Sequence, residues 1–317
     1  MQQFDRKDHN DEEMSRDFTI SPGAKIGYIS LNVSDIQKSL EFYQSTLGFS
    51  KMQQQSVGRV LLSGNGTSLS SSHLLELVQV SQSEPNFSNS RNTGLYHFAI
   101  LLPERKNLAD LLLYLSDKQD KVRFDGLADH EVSEAIYIRD PDFNGIEIYI
   151  DRPKSEWKWT VKNNMRQLQM ATLHLNTKDL LQQSTDKGWT GMPKDTTIGH
   201  VHLHVSNLSK AMKFYHEILG MNLTTTYPGA YFFAAGKYHH HIATNTWLGT
   251  TNILPALSES IGLNHFGVEL PNMEDFDRMV KHLARYNNIS TAQRASLSSN
   301  AILIQDPDGI RIEVYTN

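Results

Sequence analysis

At 317 residues, with no cysteine, a formal net charge of −5 and a mean hydropathy of −0.44, the chain is long enough for about two domains that each bury a core. The lack of cysteine excludes disulfides, thiolate nucleophiles and cysteine-based zinc or iron–sulfur centres, so any metal must sit on His, Asp and Glu. The acidic balance, without a Lys/Arg-rich block, argues against nucleic acid or an anionic membrane as a partner. No apolar run approaches the roughly 18 residues of a membrane span, and the first residues lack an apolar signal core, which predicts a cytoplasmic protein.

Residues 1–24, opening MQQFDRKDHNDEEMSRDF, are polar and of mixed charge and read as a mobile tail. From Lys25, KIGYISLNVSDIQKSLEFYQSTLGF reads as a strand, a turn and an amphipathic helix stopped by glycine. GLYHFAILLP, from Gly94, opens a second unit that ends in SEAIYIRDPDFNGIEIY, two strands joined by a DPD turn. Residues 152–196 form a linker. TIGHVHLHVSNLSKAMKFYHEILGM, from Thr197, then repeats the first unit without a gap, and GLNHFGVELP and SNAILIQDPDGIRIEVY, from Gly262 and Ser299, repeat the second. The chain therefore holds four related modules, which pair by sequence neighbourhood into an N-terminal domain, 25–151, and a C-terminal domain, 197–317.

Four strand–helix–strands modules, with a His in the first strand and DPDG-x-x-x-E in the last, resemble the vicinal oxygen chelate superfamily of glyoxalases, bleomycin-resistance proteins and extradiol dioxygenases. WTGMP…IGHVHLHV and HHHIATNTW look most like its two-domain bacterial catechol 2,3-dioxygenase branch. The resemblance implies an α+β fold of four βαβββ modules, paired into two domains that are each an incomplete curled β-barrel with a metal inside.

Position by position, it implies that the C-terminal domain is the metal-binding one, with His200, His265 and Glu313 as ligands. Two imidazoles and one carboxylate are the facial triad of non-haem Fe(II) oxygenases, with Mn, Zn or Ni as alternatives. In the N-terminal copy Tyr28 stands where His200 does, while His97 matches His265 and Glu147 matches Glu313. With Glu76 as a fourth donor, Tyr28, His97 and Glu147 make a vestigial second site, weakened because phenol binds metal well only when deprotonated.

GHVHLHV raises its own question, because alternation puts His200, His202 and His204 on one strand face, where buried ring nitrogens need partners. His202 either orients a ligand or lines the substrate cavity; His204 lies deeper or beyond it. In KYHHHIATNTW, family dioxygenases carry an acid–base His, matched by His240, with His241 as the alternative because only one side of a strand points inward. These enzymes also place a Tyr ten residues before the Glu ligand; before Glu313 that position is Leu303, so the second donor is absent or supplied from Tyr231, Tyr238 or Trp247. The implied activity is extradiol cleavage of a catechol-type aromatic by O₂, in a chain with no nucleic-acid or membrane partner and with room for a homo-oligomer. The alternatives are a glyoxalase-type isomerase or thiol transferase, and a metal-free binding member of the same superfamily.

Overall fold

The computed structural model describes residues 17–56, 58–64, 73–81, 92–118, 121–162, 165–251, 253–255, 259–286 and 300–317. The first module comprises β1 (Lys25–Val33), α1 (Ile36–Leu40) running into a π-helical turn (Glu41–Thr46), β2 (Ser50–Ser56), β3 (Arg59–Ser63) and β4 (Leu75–Gln79). The second comprises β5 (Gly94–Leu101), α2 (Arg105–Ser116), β6 (Arg123–Asp129), β7 (Ser133–Arg139) and β8 (Gly145–Asp151). The linker folds as a hairpin, β9 (Trp159–Lys162) and β10 (Met165–Leu168), followed by α3 (Thr177–Leu181). The third module has β11 (Thr197–His204), α4 (Leu208–Met212) with its π-helical turn (Lys213–Ile218), β12 (Asn222–Tyr227), β13 (Ala230–Ala234) and β14 (Ile242–Asn245). The fourth has β15 (Gly262–Glu269), α5 (Met273–Leu283), β16 (Asn300–Gln305) and β17 (Arg311–Thr316).

The repeat is visible in local chemistry. Asp35 caps α1 by accepting from the backbone of Gln37 and Lys38, and Asn207 caps α4 by accepting from Lys210. Both helices stop at a glycine with φ of +79°, Gly48 and Gly220, a conformation other residues adopt only at a cost.

The strands assemble into two large open sheets, β16-β17-β15-β1-β4-β3-β2 and β12-β13-β14-β11-β5-β8-β7-β6. The α+β class with four modules in two sheets is thus observed, but the partners differ from those expected. The first module shares its sheet with the fourth through the antiparallel pair β1 and β15, and the second with the third through β5 and β11. The division at residues 151 and 197 is corrected accordingly: each sheet draws on both halves of the chain. The physical reason is the repeat itself, since β1 and β11 carry nearly the same apolar pattern, as do β5 and β15, and the pattern alone does not choose between the ladders.

Sequence neighbours are joined differently, through their DPD turns. The Tyr43 hydroxyl donates to Asp140 Oδ2 at 2.8 Å and the Ser34 backbone N–H to Asp142 Oδ2 at 3.0 Å, tying the second module to the first. Tyr215 and Ser206 make the same bonds, at the same lengths, to Asp306 and Asp308. The tail expected over 1–24 also shortens. Residues 1–16 lie outside the described residues, but Phe18 stacks on His282 with ring centroids 4.0 Å apart, and Ile20 is buried and donates its N–H to Gly220.

A glycine sets the packing of β11. A methyl group built on Gly199 overlaps the Tyr149 hydroxyl and ring, and Gly27 stands in the same relation to Tyr315. Gly199→Ala is expected to lose about 1–3 kcal/mol, the usual cost of overpacking; urea unfolding measures it, and unchanged stability contradicts the contact.

Burial pushes the Asp306 carboxyl up to about 7, despite the hydrogen bonds it accepts from Tyr215 and from the backbone of Asp308 and Ile310. As pH rises from about 4 to 7 the unfolded chain has shed this proton while the native one keeps it, so this group makes stability fall across that window. Asp306→Asn keeps an acceptor for both backbone N–H groups and removes the titration. Between pH 4 and 7 its melting temperature is expected to fall less, or rise more, than that of the wild type; identical pH slopes contradict the assignment.

Candidate metal centre

Register on the second sheet builds a cluster from three strands. His200 on β11 lies opposite Ala99 on β5, and Ala99 opposite Glu147 on β8; His97, two residues along β5, lies opposite His202 and shares the same face. The result is that His200 Nε2 and His97 Nε2 each lie 3.0 Å from Glu147 Oε2, in a buried site. His200 is in line for a hydrogen bond, whereas His97 Nε2 has no hydrogen-bond partner among the described residues. Donor atoms so close but out of line are what ligands converging on a third point produce: metal–ligand bonds of about 2.1 Å at right angles put two donors roughly 3.0 Å apart.

Electrostatics prepares the same set. Burial lowers the pKa of His97 and of His200, which favours neutral, ligating imidazoles. Burial alone would raise Glu147, but the two imidazoles beside it outweigh that and hold it well below the usual carboxylate range. Two neutral imidazoles and an ionised carboxylate fit a divalent cation that keeps open positions.

The trio expected from sequence is not brought together. His265 and Glu313 lie on β15 and β17 of the other sheet, away from the His200 cluster. There the Tyr28 hydroxyl lies 2.9 Å from His265 Nε2, while His265 Nδ1 lies 2.7 Å from Asn264 Oδ1. The amide oxygen can only accept, so Nδ1 donates and Nε2 accepts a hydrogen bond from the Tyr28 hydroxyl; both ring nitrogens are engaged. Burial, then the Glu313 charge, raises the Tyr28 pKa and keeps it a neutral phenol. Glu76 is paired with Arg59. The vestigial set of Tyr28, Glu76, His97 and Glu147 is likewise split, its first two members on one sheet and its last two on the other.

Above the His97–His200–Glu147 cluster opens a cavity of about 400 Å³, lined by His202, His240, Trp247, Tyr96, Tyr137 and Phe232 among others. His240 faces it, with its ring centroid 4.1 Å from that of His200. His241 turns the other way and accepts from the Ala235 N–H through Nδ1; burial lowers its pKa to about 3. His202 and Trp247 line the cavity; Tyr231 and Tyr238 do not. Tyr231 packs against the core, and Tyr238 lies behind the site, bonded to Tyr149 and Asp151. His202 Nε2 has no hydrogen-bond partner among the described residues, and His204 lies beyond, 2.7 Å from Asn245 Oδ1.

Two hydrogen-bonded chains fix tautomers. The Asp151 carboxylate lies 3.0 Å from His239 Nε2, and His239 Nδ1 2.7 Å from His240 Nδ1. A carboxylate accepts, so a neutral His239 carries its proton on Nε2 and accepts through Nδ1 a hydrogen bond from His240 Nδ1–H, which leaves the lone pair of His240 on Nε2. On the opposite wall His130 Nδ1 donates to the Ala171 carbonyl at 2.7 Å, so its Nε2 accepts from the Tyr137 hydroxyl at 2.7 Å. Burial, followed by the Glu147 charge, raises the pKa of Tyr137 and keeps it a donor. Tyr137 is the residue sequence reasoning missed: it stands ten positions before Glu147, the place left empty when counting from Glu313.

A family model for the Glyoxalase/Bleomycin resistance protein/Dioxygenase superfamily matches residues 25–148 and 197–314. The chain is 36% identical over 291 residues to a catechol-2,3-dioxygenase of Bacillus subtilis (strain 168), a match covering 91% of this chain and 96% of that one. Among solved structures, a protein of Bacillus subtilis subsp. subtilis str. 168 with a provisional dioxygenase designation superposes with a TM-score of 0.62 at 14% identity, covering 94% of this chain and 86% of its own. Glyoxalase I from Zea mays superposes at 0.53 with 15% identity and 92% of each chain covered, so both share the fold. With both repeat units matched, the chain belongs to the glyoxalase/bleomycin resistance/dioxygenase superfamily.

Proposed function

We propose that the protein is an extradiol ring-cleaving dioxygenase, an oxidoreductase that opens a catechol-type aromatic with O₂ at an Fe(II) ion held by His97, His200 and Glu147. The observation that carries this reading is the convergence of those three donors with Tyr137 and His240 on one cavity. The 36% identity to a catechol-2,3-dioxygenase along nearly the whole chain supports it. The single carboxylate in the donor set favours iron over the carboxylate-richer sites of glyoxalase-type isomerases.

A ferrous ion held by His97, His200 and Glu147 would supply Lewis-acid and one-electron redox chemistry for a catechol and dioxygen. The chain's own residues do the rest. His240, with its lone pair on Nε2, accepts the proton released from the substrate hydroxyl and returns it to the product. The Tyr137 hydroxyl, whose proton goes to His130 Nε2, presents its oxygen from the other wall as an acceptor for a substrate hydroxyl. His202, with an unpartnered Nε2 in the cavity, offers a further polar contact. The buried site and its aromatic walls keep bulk water from the reacting groups.

Loading with Fe(II) without oxygen, followed by catechol in air, is expected to give a yellow ring-opened product; its absence at full iron loading contradicts the reading. His97→Ala or Glu147→Gln is expected to lose metal by tenfold or more in affinity, while His265→Ala keeps one metal per chain by elemental analysis. The reverse pattern moves the site to the other sheet. His240→Gln is expected to retain metal and lose about 100-fold or more in kcat, the usual reach of general acid–base catalysis. Asp151→Asn keeps the shape but lets an amide donate to His239, reversing the tautomer chain as in a catalytic triad. It is expected to lower kcat and shift its pH profile without loss of iron, and an unchanged profile removes Asp151 from the mechanism.

A further inference from the structure

Building on that reading, we infer that the preferred substrate is an uncharged catechol bearing an apolar alkyl or aryl substituent, and that the Asp125–Arg139 ion pair excludes ring carboxylates. The cavity is large for a bare diol. About 150 Å³ of engineered cavity holds benzene, whereas this one offers about 400 Å³. Its walls include Tyr96, Phe232, Trp247, Leu127 and Met170, surfaces that stabilise an apolar group by about 25 cal/mol per Å² withdrawn from water.

Charge decides what that space refuses. Apart from histidines and tyrosines, the ionisable residues lining the cavity among the described residues are Asp125, Arg139 and Glu147. Glu147 belongs to the ligand set. Arg139 is the one lining residue able to meet a carboxylate with a full positive charge, and it is already engaged: Nε lies 2.6 Å from Asp125 Oδ2, and Nη1 donates to the Phe143 carbonyl at 3.0 Å. Arg123 also approaches Asp125, at 3.9 Å, but its side chain is 60% exposed, stacks over Phe143 and does not line the cavity. A carboxylated catechol would enter without a released cation and meet the like charge of the Asp125 carboxylate, while the apolar walls strip part of its hydration. An alkyl or aryl group suffers no such loss.

The iron-loaded protein is compared on 4-ethylcatechol, 3-phenylcatechol, 3,4-dihydroxybenzoate and 3,4-dihydroxyphenylacetate. In parallel, calorimetry measures binding of 4-ethylphenol and 4-hydroxyphenylacetate, which are not ring-opened. The expected kcat/KM is at least tenfold higher for the apolar catechols than for either acid, with the same order in phenol binding. Asp125→Asn, which leaves Arg139 without its carboxylate, is expected to shift the acid-to-alkyl ratio at least tenfold towards the acids. Equal or reversed preference in the wild type, or an unchanged ratio in Asp125→Asn, overturns the inference. If no diol is opened while the phenol preference holds, the dioxygenase reading fails and the inference about the cavity stands. If diols are opened with the acids preferred, the opposite conclusion follows.

Discussion

The antiparallel ladder between β5 and β11 is the contact on which the rest of the molecule depends. It sets His97 opposite His202, and through Ala99 it sets His200 in line with Glu147 on the next strand. Two residues from the second module and one from the third then meet at 3.0 Å spacings. Those distances arise between residues 50 positions or more apart in the chain, so no local propensity could hold them. What holds them is the register of a buried sheet, where a slip of one residue would turn every side chain to the wrong face.

The two sheets are built alike and have been put to different use. On the other ladder Tyr28, Gly267 and Glu313 stand in line as His200, Ala99 and Glu147 do, and Ser30 lies opposite His265 as His202 lies opposite His97. Among the polar positions, a phenol replaces the imidazole at Tyr28 and a hydroxyl replaces that of His202 at Ser30. Tyr28 donates into His265, and Arg59 covers Glu76, so buried polar groups that elsewhere face a cavity are satisfied by the chain itself. The DPD turns remain equivalent in both halves, each clasping a tyrosine of the preceding module. They join sequence neighbours while the ladders join distant ones, which couples all four modules around one continuous core.

Much of this was legible in the residues. The four modules, their strand and helix order and the DPD turns follow from repeats and alternation. The pairing of modules did not, because the repeat that revealed them also made them interchangeable: an apolar strand of the first kind can meet either strand of the second. Choosing chain neighbours assigned His265 and Glu313 to His200 and left His97 and Glu147 as relics. A discriminating signal was present in Tyr137, ten positions before Glu147, where the copy before Glu313 has Leu303. The hydrogen-bonded chains from Asp151 to His240 and from Ala171 to Tyr137 depend on how the linker and the third module pack on the second, and leave no mark in spacing.

The absence of cysteine from the chain allows the ladder to be tested directly. Thr197 is paired with Leu101 across β11 and β5, while Lys25 holds the matching position against Glu269 on the other sheet. Cysteines opposite one another on neighbouring strands come within reach of a disulfide after small adjustments. Under mild oxidation, Leu101→Cys with Thr197→Cys is expected to cross-link in the folded monomer, and Thr197→Cys with Glu269→Cys to remain reduced. Cross-linking of the second pair and not the first would show that the third module pairs with the fourth, and the site assembled here from His97, Glu147 and His200 would not exist.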